Sequence, residues 1–460
     1  MTHGVTMPAG IGSRFESLLG AGGILVEPTP LKRYAIEGIV PCLVALPDNI
    51  EQVCAVLRIC NENQWTVVPF GSGAQQHVGR LLERVDLALS TEKLNRIEAY
   101  DPGDLTISLH AGLPVAKAVS ACAEHRQLLP IETASERTTV GGALATAQSG
   151  PLRTGFGSLR DSCIGISFVT GDGVSGRGGG RVVKNVAGYD LMKLLIGSYG
   201  SLGIITSANF KLFPAPNQTI TLTCEFGSLK EALTLRDSLT KSPLSPIACE
   251  VMNPAAIEYL HDSEPRDPDH WAPDSPSSPG SMNWRLVLRF SGSDRVLARI
   301  RRELSSSVSS ELGGTEEVEM WKQVGMFEQR LALRHRNAMI FHVDVPIAQS
   351  QAALEAADDA ATDYNFVAAF IGRAPIGSFV VGFLPLAVDP PAVTQYAGAA
   401  SDFRSRLSKA ASAVVVRCPR EAKQHFDVWG STPTDLELMR KVKCALDPGG
   451  ILNPGRFLAG

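Results

Sequence analysis

Several features that would fix a function at once are missing from this chain. It has no run of about eighteen apolar residues, the length a membrane-crossing helix needs, so no span is expected. Met1–Gly10 shows no basic stretch followed by an apolar one, and no signal peptide is read there. The nine cysteines are scattered, and no two stand as C-x-x-C. That spacing points to reduced thiols in a cytoplasmic protein rather than a disulfide framework. It also leaves no ligand set for an iron–sulfur cluster in this chain. A net charge of −4 argues against a nucleic-acid partner held through its phosphates. The length, 460 residues, is enough for two or three domains.

What the chain does have is glycine in one place. Sixteen of its 43 glycines fall between Gly141 and Gly203. Glycine loses the most backbone entropy on folding, so such density needs a return. One return is backbone lying close against something large and flat; the other is a glycine-rich β-meander with tight turns. Gly141-Gly142-Ala143 opens a run of small residues that reads as a helix whose N-terminal N–H groups suit a phosphate. Gly203-Ile204-Ile205-Thr206 begins a β-branched strand whose main chain could hydrogen-bond a ring edge.

A second glycine loop lies upstream. The strand Trp65–Pro69 runs into Phe70-Gly71-Ser72-Gly73-Ala74-Gln75-Gln76. Gly71 and Gly73 would let backbone N–H groups converge on an anion, although a plain β-turn fits equally well. The third glycine of a dinucleotide fingerprint is absent, since Gln76 stands there, and no Gly-Lys-Ser/Thr follows. Before this strand, Asp48 with Glu51 reads as a capping box for a helix carrying Ile50, Val53, Val56, Leu57 and Cys60 on one face.

Four strings taken in order carry a resemblance: Gly150-Pro151-Leu152-Arg153; Arg160-Asp161; Lys184-Asn185-Val186-Ala187-Gly188-Tyr189-Asp190; and Gly197-Ser198-Tyr199-Gly200-Ser201-Leu202-Gly203-Ile204-Ile205. They resemble the flavin-binding domain of the vanillyl-alcohol oxidase / p-cresol methylhydroxylase superfamily. More closely, they are similar to the FAD-binding subunits of bacterial and cyanobacterial glycolate oxidases. The closing Leu446–Phe457 string matches the superfamily's return to its FAD domain.

The resemblance implies an α+β protein. A two-subdomain, PCMH-type FAD-binding domain is expected over 36–217, an α+β, ferredoxin-like cap over 218–420, and a C-terminal return over 421–460. Within the cap, 262–281 is rich in Pro, Asp and Ser and reads as a disordered loop. The cofactor-binding residues implied are Pro69, Phe70, Gly71, Ser72, Gly73, Ala74, Gln75, Thr138, Thr139, Gly141, Gly142, Ser149, Gly155, Gly188, Tyr189, Gly203, Ile204 and Ile205. Read without the family, Asp190 is only a cap for the helix after it and Tyr189 only a packed aromatic. Some relatives attach flavin through a histidine beside the first loop. Here Ala74, Gln75 and Gln76 follow Gly73, so FAD is expected to be non-covalent and His77 an ordinary loop histidine.

Oxidation of a small 2-hydroxy acid such as glycolate or D-lactate needs a base for the hydroxyl proton and a cation for the carboxylate. Related dehydrogenases carry a His-x-Gly-Asp-Gly-Asn-x-His string for this, and it is absent here. The best isolated histidine is His335, between Arg334 and Arg336, which reads equally as part of a cation cluster closing a helix. No residue is therefore assigned as catalytic, and no metal is expected. The resemblance implies a larger flavin subunit and an iron–sulfur subunit as partners, supplying the substrate site, the electron relay or both; a stand-alone FAD-dependent 2-hydroxy-acid dehydrogenase and a structural subunit that has lost FAD are the alternative readings. The expected location is cytoplasmic, or peripheral to a membrane through those partners.

Overall fold

The computed structural model describes residues 11–133, 135–182, 188–261, 283–386 and 390–457. The whole 262–281 segment lies outside them, as do Lys184–Ala187 of the third string. The chain forms two compact units, one of Met1–Ser149, Ser158–Ala215 and Thr432–Gly460, the other of Gly150–Gly157 and Pro216–Ser431. The sequence reading turns back toward the first unit at 421 and leaves Gly150–Gly157 in it; the contacts divide the chain differently at both places.

The first unit is built on two sheets. In one, Leu43–Ala45 and Val67–Phe70 each pair in parallel with Leu87–Ser90, and Ile24–Leu25 adds an antiparallel edge. These short strands are almost wholly buried, as parallel strands covered on both faces must be. The helix Ile50–Glu62 lays Val53, Val56, Leu57 and Cys60 into their core. Its cap sits one residue beyond the expected pair. Asn49 is the extended residue, and its side chain accepts from Gln52 N at 2.8 Å, while the Gln52 side chain accepts from Asp48 N at 2.9 Å. The second sheet is antiparallel, in the order Ile97–Asp101, Thr106–His110, Ile204–Lys211, Cys163–Val169, Ser175–Gly179. Alternation puts Ile107, Leu109, Ile166, Phe168, Ala208 and Phe210 on one face, under the helices Val115–Glu124 and Val140–Ala145.

The second unit is one eight-stranded antiparallel sheet. Its first half runs Ser310–Leu312, Thr219–Phe226, Trp284–Ser291, Ala248–Met252, and its second Phe366–Arg373, Ser378–Pro385, Met339–Asp344, Ser412–Arg417. Each half is a β-α-β-β-α-β module with its first and third strands central, the ferredoxin-like order. The two modules join through the second strand of each, Ala248–Met252 against Phe366–Arg373. One face packs Leu222, Leu288, Val251, Phe341, Phe370 and Phe383 beneath the crossover helices. Part of the other face carries three helices the sequence reading does not place, Pro254–His261, Gly314–Gly325 and Phe327–Arg334. Buried Glu317 anchors the middle one, accepting from Thr219, Thr221 and Arg289. The last is seated by Leu331, which occupies the space above Gly382 where a Cβ would lie 2.6 Å away.

His335 follows that last helix as its C-cap, with Arg334 in the helix's last turn. It is buried, its Nε2 lies 2.9 Å from Tyr259 Oη, and the two rings meet edge to face at 5.3 Å. Burial first, and the Arg334 charge second, lower its pKa from 6.5 to about 4, so desolvation overrides the helix dipole. Between those two values the unfolded chain binds the proton and the folded chain does not. Stability is therefore lost as pH falls through that window, by roughly 3 kcal/mol at most from this one group. In urea titrations from pH 7 to 4, wild type should lose more stability than His335→Gln; equal losses would contradict the assignment.

Candidate functional site

The two glycine loops meet in the first unit around an open cleft. The first loop leaves the strand Val67–Phe70 at Gly71, which passes so close to the second that a Cβ would stand 2.3 Å from Thr139 Oγ1. Thr139 caps the helix Val140–Ala145, its hydroxyl accepting from Gly142 N at 3.3 Å. Gly73 has φ +80°, which an L side chain rarely adopts, and folds over the Phe70 ring. Gln76 closes the loop by donating to Pro69 O at 2.8 Å. Gly141 N donates to Ala111 O at 2.7 Å, fixing the second loop on the antiparallel sheet.

The opposite wall is Tyr199-Gly200 and Gly203-Ile204-Ile205, with Asn453 and Arg456 from the C-terminal segment. Tyr199 N donates to Ala145 O at 2.8 Å, and Asn453 Nδ2 donates to Tyr199 O at 2.7 Å. Buried Arg456 lies 3.4 Å from Glu37 and donates to Arg80 O at 3.3 Å. Desolvation lowers its pKa and Glu37 opposes the shift, and a guanidinium stays charged regardless.

Fourteen of the eighteen expected residues line this cleft: Pro69 to Gln75, Thr138, Thr139, Gly141, Gly142, Gly203, Ile204 and Ile205. Ser149 and Gly188 do not, and Tyr189 is 90 % exposed. Gly155 belongs to the second unit, where its N–H donates to Ile247 O. Asp190 accepts from Lys193 N and caps the helix Leu191–Leu195. His77 is absent from the lining. Sequence reasoning missed Tyr199, Gly200, Asn453 and Arg456 as lining residues, although all four stand inside the quoted strings.

The lining suits a dinucleotide. Among the described residues, the N–H groups of Gly71, Ser72 and Gly73 have no protein acceptor, which makes a nest for an anion such as a pyrophosphate. Thr138 Oγ1 and Asn453 Oδ1 are buried and also lack a protein partner. An orphaned buried polar atom is costly unless a ligand or water completes it. Among the described residues no group of three or more His, Cys, Asp or Glu is placed to hold a metal ion. No cysteine is among the residues that line the cleft.

Comparison with known proteins agrees with this geometry. Residues 41–175 match the FAD binding domain, and 215–392 with 422–457 match the C-terminal domain of FAD linked oxidases. A D-lactate dehydrogenase of Archaeoglobus fulgidus is 27 % identical over 421 residues, covering 90 % of this chain and 91 % of that one. The glycolate oxidase subunit GlcE of Escherichia coli is 38 % identical over 166 residues, covering 36 % of this chain and 47 % of that one. Among solved structures, p-cresol methylhydroxylase with substrate bound superposes with a TM-score of 0.74 at 20 % identity, covering 96 % of this chain and 95 % of the other. The fold is thus a PCMH-type FAD-binding fold with an FAD-oxidase C-terminal domain. The chain belongs to the FAD-linked oxidases, and FAD is its cofactor.

When bound, FAD supplies an acceptor for two electrons. What this chain contributes is a backbone nest, a buried arginine and two orphaned polar atoms around one cleft. Gly71→Ala drives a methyl group into Thr139 and separates the loops. FAD affinity should fall about tenfold or more while the apo chain melts within a few degrees of wild type. Unchanged flavin per chain on equilibrium dialysis would place the dinucleotide elsewhere.

Proposed function

We propose that this chain binds FAD non-covalently in the cleft of its first unit and serves in the oxidation of a small 2-hydroxy acid, glycolate or D-lactate. Electrons then pass to partner chains, a larger flavin subunit and an iron–sulfur subunit. The observation that carries the reading is the convergence of fourteen expected FAD residues on one cleft. The likeness to a glycolate oxidase subunit over the FAD-binding region supports the subunit role. Ala74, Gln75 and Gln76 following Gly73, with His77 not among the lining residues, support non-covalent attachment.

A second reading is a dehydrogenase that works alone. It is favoured by the match to a D-lactate dehydrogenase along nine-tenths of both chains.

One purification separates the two. Tagged chain recovered from its native source should bring down a second flavoprotein and an iron–sulfur protein. Steady-state oxidation of glycolate or D-lactate should need that fraction. An isolated chain turning over as fast as the recovered assembly would overturn the subunit role. A chain that never binds FAD would overturn both readings.

A further inference from the structure

One face of the second unit's sheet is packed under the crossover helices; on the other, a cavity of about 660 Å³ opens beside two helices. Every residue that lines it belongs to the second unit. Its floor is sheet. Val251, Leu286 and Leu288 enter the core, so Met252 and Val287 stand on the opposite face, where cross-strand pairing sets Thr223 beside Val287. Ile257 and Leu260 of the helix Pro254–His261 form one wall, and Met320 of the helix Gly314–Gly325 forms another. Both helices are pinned by polar contacts. Asn253 Oδ1 accepts from Ala256 N at the start of the first, Asn253 Nδ2 donates to Ala368 O at 2.7 Å, and Arg330 donates to Tyr259 O near its end. The second is held by buried Glu317 and by Trp321, whose Nε1 donates to Thr221 Oγ1 at 2.8 Å. With these anchors neither helix can settle onto the apolar floor, so the space is a preformed part of the fold.

We propose that this cavity is a binding site for a small amphiphile with an apolar body and a cationic head. Its volume lies within the range of small-molecule sites, and its floor and walls are aliphatic and methionine side chains, which adapt to an apolar guest. The charged groups of the lining are three carboxylates, Glu225, Glu316 and Glu319, against the one guanidinium of Arg285. Arg285 Nε donates to Glu225 Oε1 at 3.0 Å, so that pair is balanced. Glu316 and Glu319 then set the sign of the field at the head, attracting a cation and repelling a carboxylate. They share a stripe of the helix with Met320, away from the stripe of Glu317, Trp321 and Val324 that packs down. The helix dipole accounts for an acidic residue in the first turn, Glu316, but not for Glu319 a turn further along. A sheet face left thinly covered would need neither pinned walls nor a charge of one sign beside them. A 2-hydroxy acid suits neither the apolar lining nor that charge, so this site stands apart from the substrate reading.

The test is calorimetry on the FAD-loaded chain with three probes of one chain length, decylamine, decanol and decanoate, each below its micelle concentration. Decylamine should bind once per chain and decanoate about tenfold or more weaker, with decanol between them. Leu260 and Met320 are half-buried. Leu260→Trp and Met320→Trp each put an indole into the cavity and should weaken decylamine about tenfold or more, melting within a few degrees of wild type. Should either fail to fold, the double variant Glu316→Gln, Glu319→Gln carries the test, since both side chains are exposed. In it decylamine and decanoate should bind within about threefold of each other. Wild type that takes up no decylamine would overturn the proposal. So would uptake of several molecules per chain with no response to these variants, which is an adventitious apolar contact only. Binding that begins only when Pro265–Pro279 is deleted would overturn it as well, by making that segment the occupant.

Discussion

The cleft depends on a stitch between the end of the chain and a strand nearly four hundred residues earlier. Val67, four residues before the first loop begins at Gly71, donates from its N–H to Ile451 O at 2.8 Å and accepts from Asn453 N at 3.0 Å. The C-terminal segment thus completes the free edge of the strand that delivers the loop. A buried ion pair holds the segment itself. Lys443 donates to Ser201 O at 2.7 Å and Leu452 O at 2.8 Å while lying 2.5 Å from Asp447. Asp447, wholly buried, accepts from the N–H groups of Ile451 and Leu452. Losing either partner of such a pair strands a charge, at a cost of roughly 3–5 kcal/mol. Burial pulls Lys443 below the usual lysine range and the carboxylate beside it resists that shift, so the site tolerates the charge only because its donors and acceptors are matched.

That dependence explains why the cleft was only partly legible from sequence. Gly71, Gly73, Gly141 and Gly142 announce themselves, because glycine density without a structural return is expensive. Asn453 and Arg456 look from the sequence like punctuation before an end. Their role exists only because Asn453 reaches Tyr199 across 254 residues. Tyr189 sits in a string that resembles the family's, yet it points into solvent, and Gly155, two residues past another such string, joins the second unit. A string fixes the neighbourhood of a site more firmly than it fixes which of its side chains face inward.

The second unit shows the same division. Its strands, such as Thr219–Phe226 and Ser378–Pro385, are rich in the β-branched and aromatic residues that announce a strand. The helix Phe327–Arg334 went unread because only Phe327, Glu328 and Leu331 are buried along it, too few apolar positions for a period. The pair of His342 Nε2 and Glu328 Oε2, 2.8 Å apart, is invisible in the same way. Fourteen residues separate its members, and only the turn from that helix back into the sheet brings them together. Two ferredoxin-like modules joined edge to edge make the broad face on which helix and strand residues can meet.

The account turns on one claim, that the first unit's cleft holds FAD by backbone, buried arginine and orphaned polar atoms, with no covalent bond. Acid precipitation of the purified, flavin-loaded chain tests it most directly, with the flavin counted in both fractions. The account predicts one FAD per chain, all of it released into the supernatant. Flavin retained on the precipitated protein, or a correctly folded chain that carries none after incubation with excess FAD, would contradict it.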